Sequence, residues 1–143
     1  MKYKLTEEKK VSFGVTLFRI EALKDFGNIK KGDKGGFIEN EKNLSQKQNA
    51  WVYGDAWVYG DAKVSGDAKV YGDAWEFTPL QIQGTKHFFN MATSNLIQIG
   101  CKNLNYNDWK NKGLEIAKGA GYTPEQIKEY RLYIELAKQL YNL

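Results

Sequence analysis

Cysteine and histidine each occur once in this chain, at Cys101 and His87, and proline occurs only twice. A lone cysteine excludes an internal disulfide and any cysteine-rich zinc site, and a lone histidine excludes paired-histidine metal centres. No apolar run is long enough to span a membrane, and the opening MKYKLTEEKKV lacks the apolar core of a secretory leader. A cytoplasmic location with no membrane partner is therefore expected. Dense basic runs are missing too. The net charge is only +4, with 11 Lys/Arg against 7 Asp/Glu over residues 1–48, 2 against 5 over 49–78, and 8 against 5 over 79–143. No nucleic-acid polymer is expected as a partner, although a pocket for a small anion fits this balance. At 143 residues, 42% hydrophobic and 27% charged, the chain has enough material for one domain or two small ones.

What the chain does have is a repeat. Asn49 to Thr78 reads NAWVYG, DAWVYG, DAKVSG, DAKVYG, DAWEFT, one hexapeptide written five times. Ala recurs at 50, 56, 62, 68 and 74, Val at 52, 58, 64 and 70, Gly at 54, 60, 66 and 72, and Asp at 55, 61, 67 and 73. Alternate residues of a strand share a face, so each Ala-x-Val predicts a short strand with both residues inward. Each Gly-Asp predicts a corner, with Gly supplying the torsions and Asp bonding nearby backbone N–H groups. A short fixed period of this kind predicts a β-helix. Glu76 stands where Val stood four times, and a carboxylate buried there would lack a partner, so the regular part is expected to end at that residue.

The hexapeptides resemble the left-handed parallel β-helix of hexapeptide-repeat proteins, a triangular prism with one hexapeptide per face. On such a prism residues eighteen apart stack. Trp51 and Tyr53 would then share a face with Lys69 and Tyr71, and Trp57 and Tyr59 with Trp75 and Phe77, while Ser45, Lys47, Lys63 and Ser65 fall on a polar face. Two aromatic faces call for a cover. Either the chain's own C-terminal part or further copies of the chain supply it. In the second case Trp51, Tyr53, Trp57, Tyr59, Tyr71, Trp75 and Phe77 form the interface of a dimer or trimer.

Around the repeat the pattern changes. Residues 1–35 read as N-terminal strands and a cap, with 11–23 rich in β-branched and aromatic residues and Gly/Asp-rich turns after them. The β-helix is expected over 36–78. Residues 79–143 read as a small α+β part, with strands over 79–101 and helices over 108–118 and 124–141. Asn105 or Asn107 is positioned to cap the first helix. Thr123-Pro124-Glu125-Gln126 is a capping box with Pro at the first helical position, followed by Ile127, Tyr130, Ile134, Ala137 and Tyr141 at helical spacing. The expected class is mainly β with α, a short left-handed parallel β-helix followed by a small α+β part ending in two helices.

The stretch FRIEALKDFGNIKKGDKGGFIENEKNLS ahead of the hexapeptides, with PLQIQGTKHFFN (79–90), LIQIGC (96–101) and IKEYRLYIELA (127–137) behind them, resembles a family of bacterial, phage and prophage hexapeptide-repeat proteins. Its members carry the labels of acyltransferase or polymer-forming protein. The resemblance implies a phage-type protein, and relatives place a His shortly after the IGC cysteine. Lys102 to Tyr106 contains none here.

Three chemistries compete for the side chains that remain. Cys101 with His87 has the composition of a thiolate–imidazole pair, but no third orienting group is evident, so no catalytic residue is assigned. The Asp column at 55, 61, 67 and 73 has oxygen ligands for a cation, yet corner hydrogen bonding accounts for it, and neither metal nor cofactor is expected. The motif from Gln81 to Phe88 concentrates amide, hydroxyl, ammonium and imidazole groups around one glycine turn, whose backbone N–H groups suit an anion. The expected ligand contacts are Gln83, Thr85, Lys86, His87 and Asn90, with Arg131 approaching from the last helix. The functional expectation is a phage-encoded non-catalytic binding protein that counters host defence by sequestering a small anionic, nucleotide-type signal. The alternatives are a direct inhibitor that binds a host defence protein, a structural module, and a hexapeptide acyltransferase.

Overall fold

In a computed structural model describing residues 1–143, the first strands are long and antiparallel. β1 (Tyr3–Ser12) and β2 (Val15–Ala22) form a hairpin, and β3 (Lys34–Ile38) pairs with β2. The hairpin turn puts Phe13 and Gly14 at φ +50° and +76°, the two positive torsions that match the twist of a tight hairpin. The repeat follows with β4 (Trp51–Val52), β5 (Trp57–Val58), β6 (Lys69–Val70) and β7 (Ala74–Trp75), each two residues long. These strands join a five-stranded sheet in the order β1-β2-β3-β5-β7 and a two-stranded sheet β4-β6.

The expected left-handed parallel β-helix is not what this chain forms. Its eleven strands lie in three sheets, one mixed, one antiparallel and one a two-stranded parallel pair, followed by two helices. The repeat makes only one sheet of its own, the β4-β6 pair. Instead the Gly-Asp corners break each strand after two residues, and β5 and β7 add in parallel to an antiparallel platform built by β1, β2 and β3. Trp51 does stand beside Lys69, and Val52 beside Val70, in a parallel patch confined to those two pairs.

The inward assignment within the repeat is seen directly. Val52, Val58, Val64 and Val70 are fully buried, as are Ala50, Ala56, Ala62 and Ala68. The fifth repeat departs by one residue. Gly54, Gly60 and Gly66 take φ near +60°, but in the next corner Asp73, not Gly72, has the positive φ, at +67°. Because strand faces alternate, a slip of one residue exchanges inside and outside. Trp75 therefore takes the inward place opposite Val58, and Ala74 and Glu76 turn to solvent. The carboxylate that would have been buried is exposed by register.

At the other end of the repeat a buried lysine does structural work. The Lys2 ammonium donates to the carbonyls of Ala50 at 2.7 Å and Lys47 at 3.3 Å, and lies 5.0 Å from the centre of the Phe26 ring. Its own backbone N–H donates to Gln46.

The chain divides into two units, Met1–Pro79, described above, and Leu80–Leu143. The second unit holds β8 (Gln81–Gln83), β9 (Phe88–Thr93), β10 (Leu96–Ile99) and β11 (Lys102–Leu104) in an antiparallel sheet ordered β11-β10-β9-β8. Helices α1 (Tyr106–Gly119) and α2 (Pro124–Tyr141) follow. Asn105 caps α1 by accepting from the Asp108 N–H, so the helix begins two residues before the expected start. The Thr123/Gln126 capping box of α2 is present with both hydrogen bonds. Phe89 meets Tyr133 of α2 ring to ring, and the Trp109 indole of α1 donates to the Ile97 carbonyl at 2.9 Å. The helices thus pack against this sheet. Across its four strands Gln81, Asn90, Gln98 and Asn103 stand in register as a row of amides. No helix of the chain is long and apolar enough to cross a membrane.

Candidate cavity between two helices and a sheet

The glycine turn expected to receive an anion does bind one, and it is the protein's own. The backbone N–H of Thr85 donates to Glu129 Oε2 at 3.0 Å, the Thr85 hydroxyl donates to Oε1, and the Tyr133 hydroxyl donates to Oε2 at 2.6 Å. These bonds, that of the Thr85 hydroxyl first, hold the Glu129 carboxyl below its usual range. The carboxylate in turn pushes the Tyr133 phenol up to about 12.

Beside it the Tyr130 hydroxyl closes the same turn. It accepts from the N–H groups of Lys86 at 3.1 Å and His87 at 2.7 Å, and donates to the His87 carbonyl. Gly84 makes this approach possible, since a Cβ there would stand 2.3 Å from the Tyr130 hydroxyl. The turn is therefore locked to α2 by Glu129 and Tyr130, three backbone donors being used.

Of the six expected ligand contacts, the structure brings two together on one cavity wall, His87 and Arg131. Thr85 is engaged by Glu129. Lys86 lies 5.5 Å from the centre of the Tyr122 ring. Gln83 is exposed and bonded to the neighbouring Gly84 carbonyl, and Asn90 is fully buried, donating to the Met91 carbonyl.

The cavity has a volume of about 630 Å³, in the range of small-molecule sites. Its floor is Ile99 with Trp109, and its sides are Leu114, Ile116 and Ala117 of α1 and Ile127, Tyr130 and Ile134 of α2. Gly113 on α1 also faces it. Polar groups on the wall are few. His87 shares a hydrogen bond of 2.7 Å between Nδ1 and the Tyr122 hydroxyl, and its ring rests on Gly100. Burial, before any neighbouring charge, pushes the Tyr122 phenol up to about 12. Lys102, Lys110 and Arg131 bring three cations to the wall, and none of their side chains has an ion pair or hydrogen bond within the chain. The carboxylate on the wall, Glu135, accepts from the Tyr106 hydroxyl at 2.7 Å through Oε1.

Cys101 also lines this cavity and is exposed. No group of three or more His, Cys, Asp or Glu side chains gathers to hold a metal. Sequence reasoning missed Trp109, Lys102, Lys110 and Tyr122. A trace was available for one wall, because Trp109, Gly113, Ile116, Ala117 and Ala120 recur at helical spacing. The chain matches no protein-family model and no curated protein.

The rings expected between copies of the chain occupy quite different settings. Trp51 is 1% exposed, covered edge-on by Tyr3 and Phe26, so the N-terminal segment supplies that cover. Trp75 is buried, its indole donating to the Gly72 carbonyl. Tyr53 and Tyr71 stack at 4.4 Å with planes 10° apart, while Trp57 and Tyr59 are half-buried. Phe77 is 71% exposed.

Proposed function

We infer that the protein is a non-catalytic, stoichiometric binder of a small organic anion, held in the cavity of the second unit. The observation that carries this reading is the set of three unpaired cations, Lys102, Lys110 and Arg131, against one carboxylate, Glu135, on the wall of a mainly apolar cavity. A cation placed against apolar surface without a partner favours a ligand that brings the opposite charge. Support against turnover comes from the polar groups beside it. The His87 Nδ1 is engaged by Tyr122, Cys101 makes no hydrogen bond to that ring, and the wall carboxylate Glu135 accepts from Tyr106, so no nucleophile with its own base is assembled. Under the phage resemblance the bound anion is a host signal, of nucleotide type or another small class, whose removal blunts a defence.

Calorimetry tests this with nucleotides, inorganic phosphate and alkyl carboxylates. The wild type should bind one of these classes at one per chain without converting it. Lys102→Ala combined with Arg131→Ala should abolish the heat while the melting temperature holds, since both side chains are exposed. Turnover of any probe, or binding unchanged in the double variant, overturns the reading. A second reading, direct inhibition of a host protein, draws on the exposed stripe Leu132, Leu136 and Leu140 along α2. Failure of every small anion to bind would favour it.

A further inference from the structure

We propose that the ligand of this cavity is an amphiphilic anion, an alkyl carboxylate or a molecule with that chemistry, and not a hydrogen-bonding ring system such as a nucleobase. The inference rests on the anion-binding reading above and narrows it.

The aromatic residues of the wall have already spent their polar atoms. The Trp109 indole N–H is donated to Ile97, and the Tyr122 hydroxyl is shared with His87. The Tyr130 hydroxyl makes three bonds to the turn. These side chains therefore offer the cavity ring carbon only. The wall contains no Asn, Gln, Ser or Thr. The amides that would read a base edge lie elsewhere, Asn90 buried within the sheet and Gln83 exposed beyond the turn.

What remains is mostly cationic, three donors against the one carboxylate Glu135, whose Oε1 already accepts from the Tyr106 hydroxyl. The lysines and the arginine donate and do not accept. A base needs acceptors for its exocyclic amino groups as well as donors, the wall offers Glu135 alone for that role, and burying such groups unpaired is costly. A carboxylate head with an alkyl body leaves nothing unpaired. Its oxygens take the cationic donors, and its methylenes cover Ile99, Leu114 and Ile134. Charge complementarity thus selects the head, and the spent aromatic polar groups select the body.

The full chain is titrated by calorimetry with hexanoate, octanoate and decanoate, then with decan-1-ol, AMP and inorganic phosphate. Each added methylene should tighten binding roughly threefold to fourfold. Arg131→Ala should weaken decanoate about tenfold and leave the alcohol unchanged. Leu114→Asp, at a position already 42% exposed, should remove decanoate binding without lowering the melting temperature, whereas Leu132→Asp on the far side of α2 should bind like wild type. AMP bound through Arg131 while decanoate is ignored would overturn the amphiphile and leave the anion-binding reading standing. Decanol bound as tightly as decanoate would overturn both, and so would silence from every probe. If Leu114→Asp unfolds the chain, the chain-length series decides alone, and an affinity independent of length refutes the proposal.

Discussion

Replacing Tyr130 by Phe removes one oxygen and keeps the ring. The ring's packing survives, since Tyr122 and Tyr133 meet it edge-on at 5.2 Å and 5.1 Å between centroids. Lost are two accepted bonds, from Lys86 N–H and His87 N–H, and one donated to the His87 carbonyl. Lys86 is exposed, so water can replace its partner. His87 is half-buried, and its N–H and carbonyl lose theirs together. An unsatisfied buried group costs roughly 1–3 kcal/mol, so two of them predict a loss of roughly 2–6 kcal/mol. Urea denaturation followed by Trp109 fluorescence reads this in the second unit, where it is the only tryptophan. Hydrogen exchange should show the His87 amide losing protection by a matching factor. Gly84→Ala should copy the effect from the other side, by pushing the turn off the same hydroxyl. A Tyr130→Phe loss below about 0.5 kcal/mol, with the His87 amide still protected, would refute the claim that this hydroxyl holds the turn.

Val64 is fully buried, and Val64→Asp should cost about 4 kcal/mol or more, enough to abolish the cooperative melt; a wild-type melt would contradict its inward place. Lys2 has its pKa lowered by burial to about 8 from 10.5, so between those values the unfolded chain binds more protons and stability should rise with pH, by up to roughly 3 kcal/mol. Denaturation from pH 7 to about 9.5, below the pH at which tyrosines ionise in the unfolded chain, should show the first part of that rise, and Lys2→Met should flatten it. Gly113 lies mid-helix with only an ordinary contact, 3.7 Å to Trp109, awaiting a Cβ, so Gly113→Ala should stabilise by about 0.5–1 kcal/mol in thermal unfolding; a loss would mean that the helix needs that gap.

Local signals were legible in the sequence where the cause was local. The inward Val column follows from a two-residue alternation, and the α2 capping box from four adjacent residues. The repeat also misled, because its period says nothing of what its strands pair with. That was decided by residues 3–38, which present an antiparallel sheet to join. The ligand turn misled for a related reason. Gly84 and Thr85 do attract a carboxylate, but Glu129, forty-four residues on in sequence, arrives first. Lys102 and Lys110 were invisible as a pair, since only the packing of a hairpin against α1 puts them on one wall.

The one-residue slip at Asp73 also bears on how such a chain can lengthen. The end of the repeat is written in its register and not in its composition, for DAWEFT still carries the Asp-Ala opening of its neighbours. Copies gained or lost upstream of Gly72 would leave that terminator untouched. Neighbouring strands, however, match Trp51 to Lys69, three hexapeptides apart. A copy inserted between β4 and β6 would part Trp51 from Lys69 and Val52 from Val70, so that pairing limits the copy number there. Slippage at the DNA level is thus free to propose any copy number, while the backbone accepts only some of them.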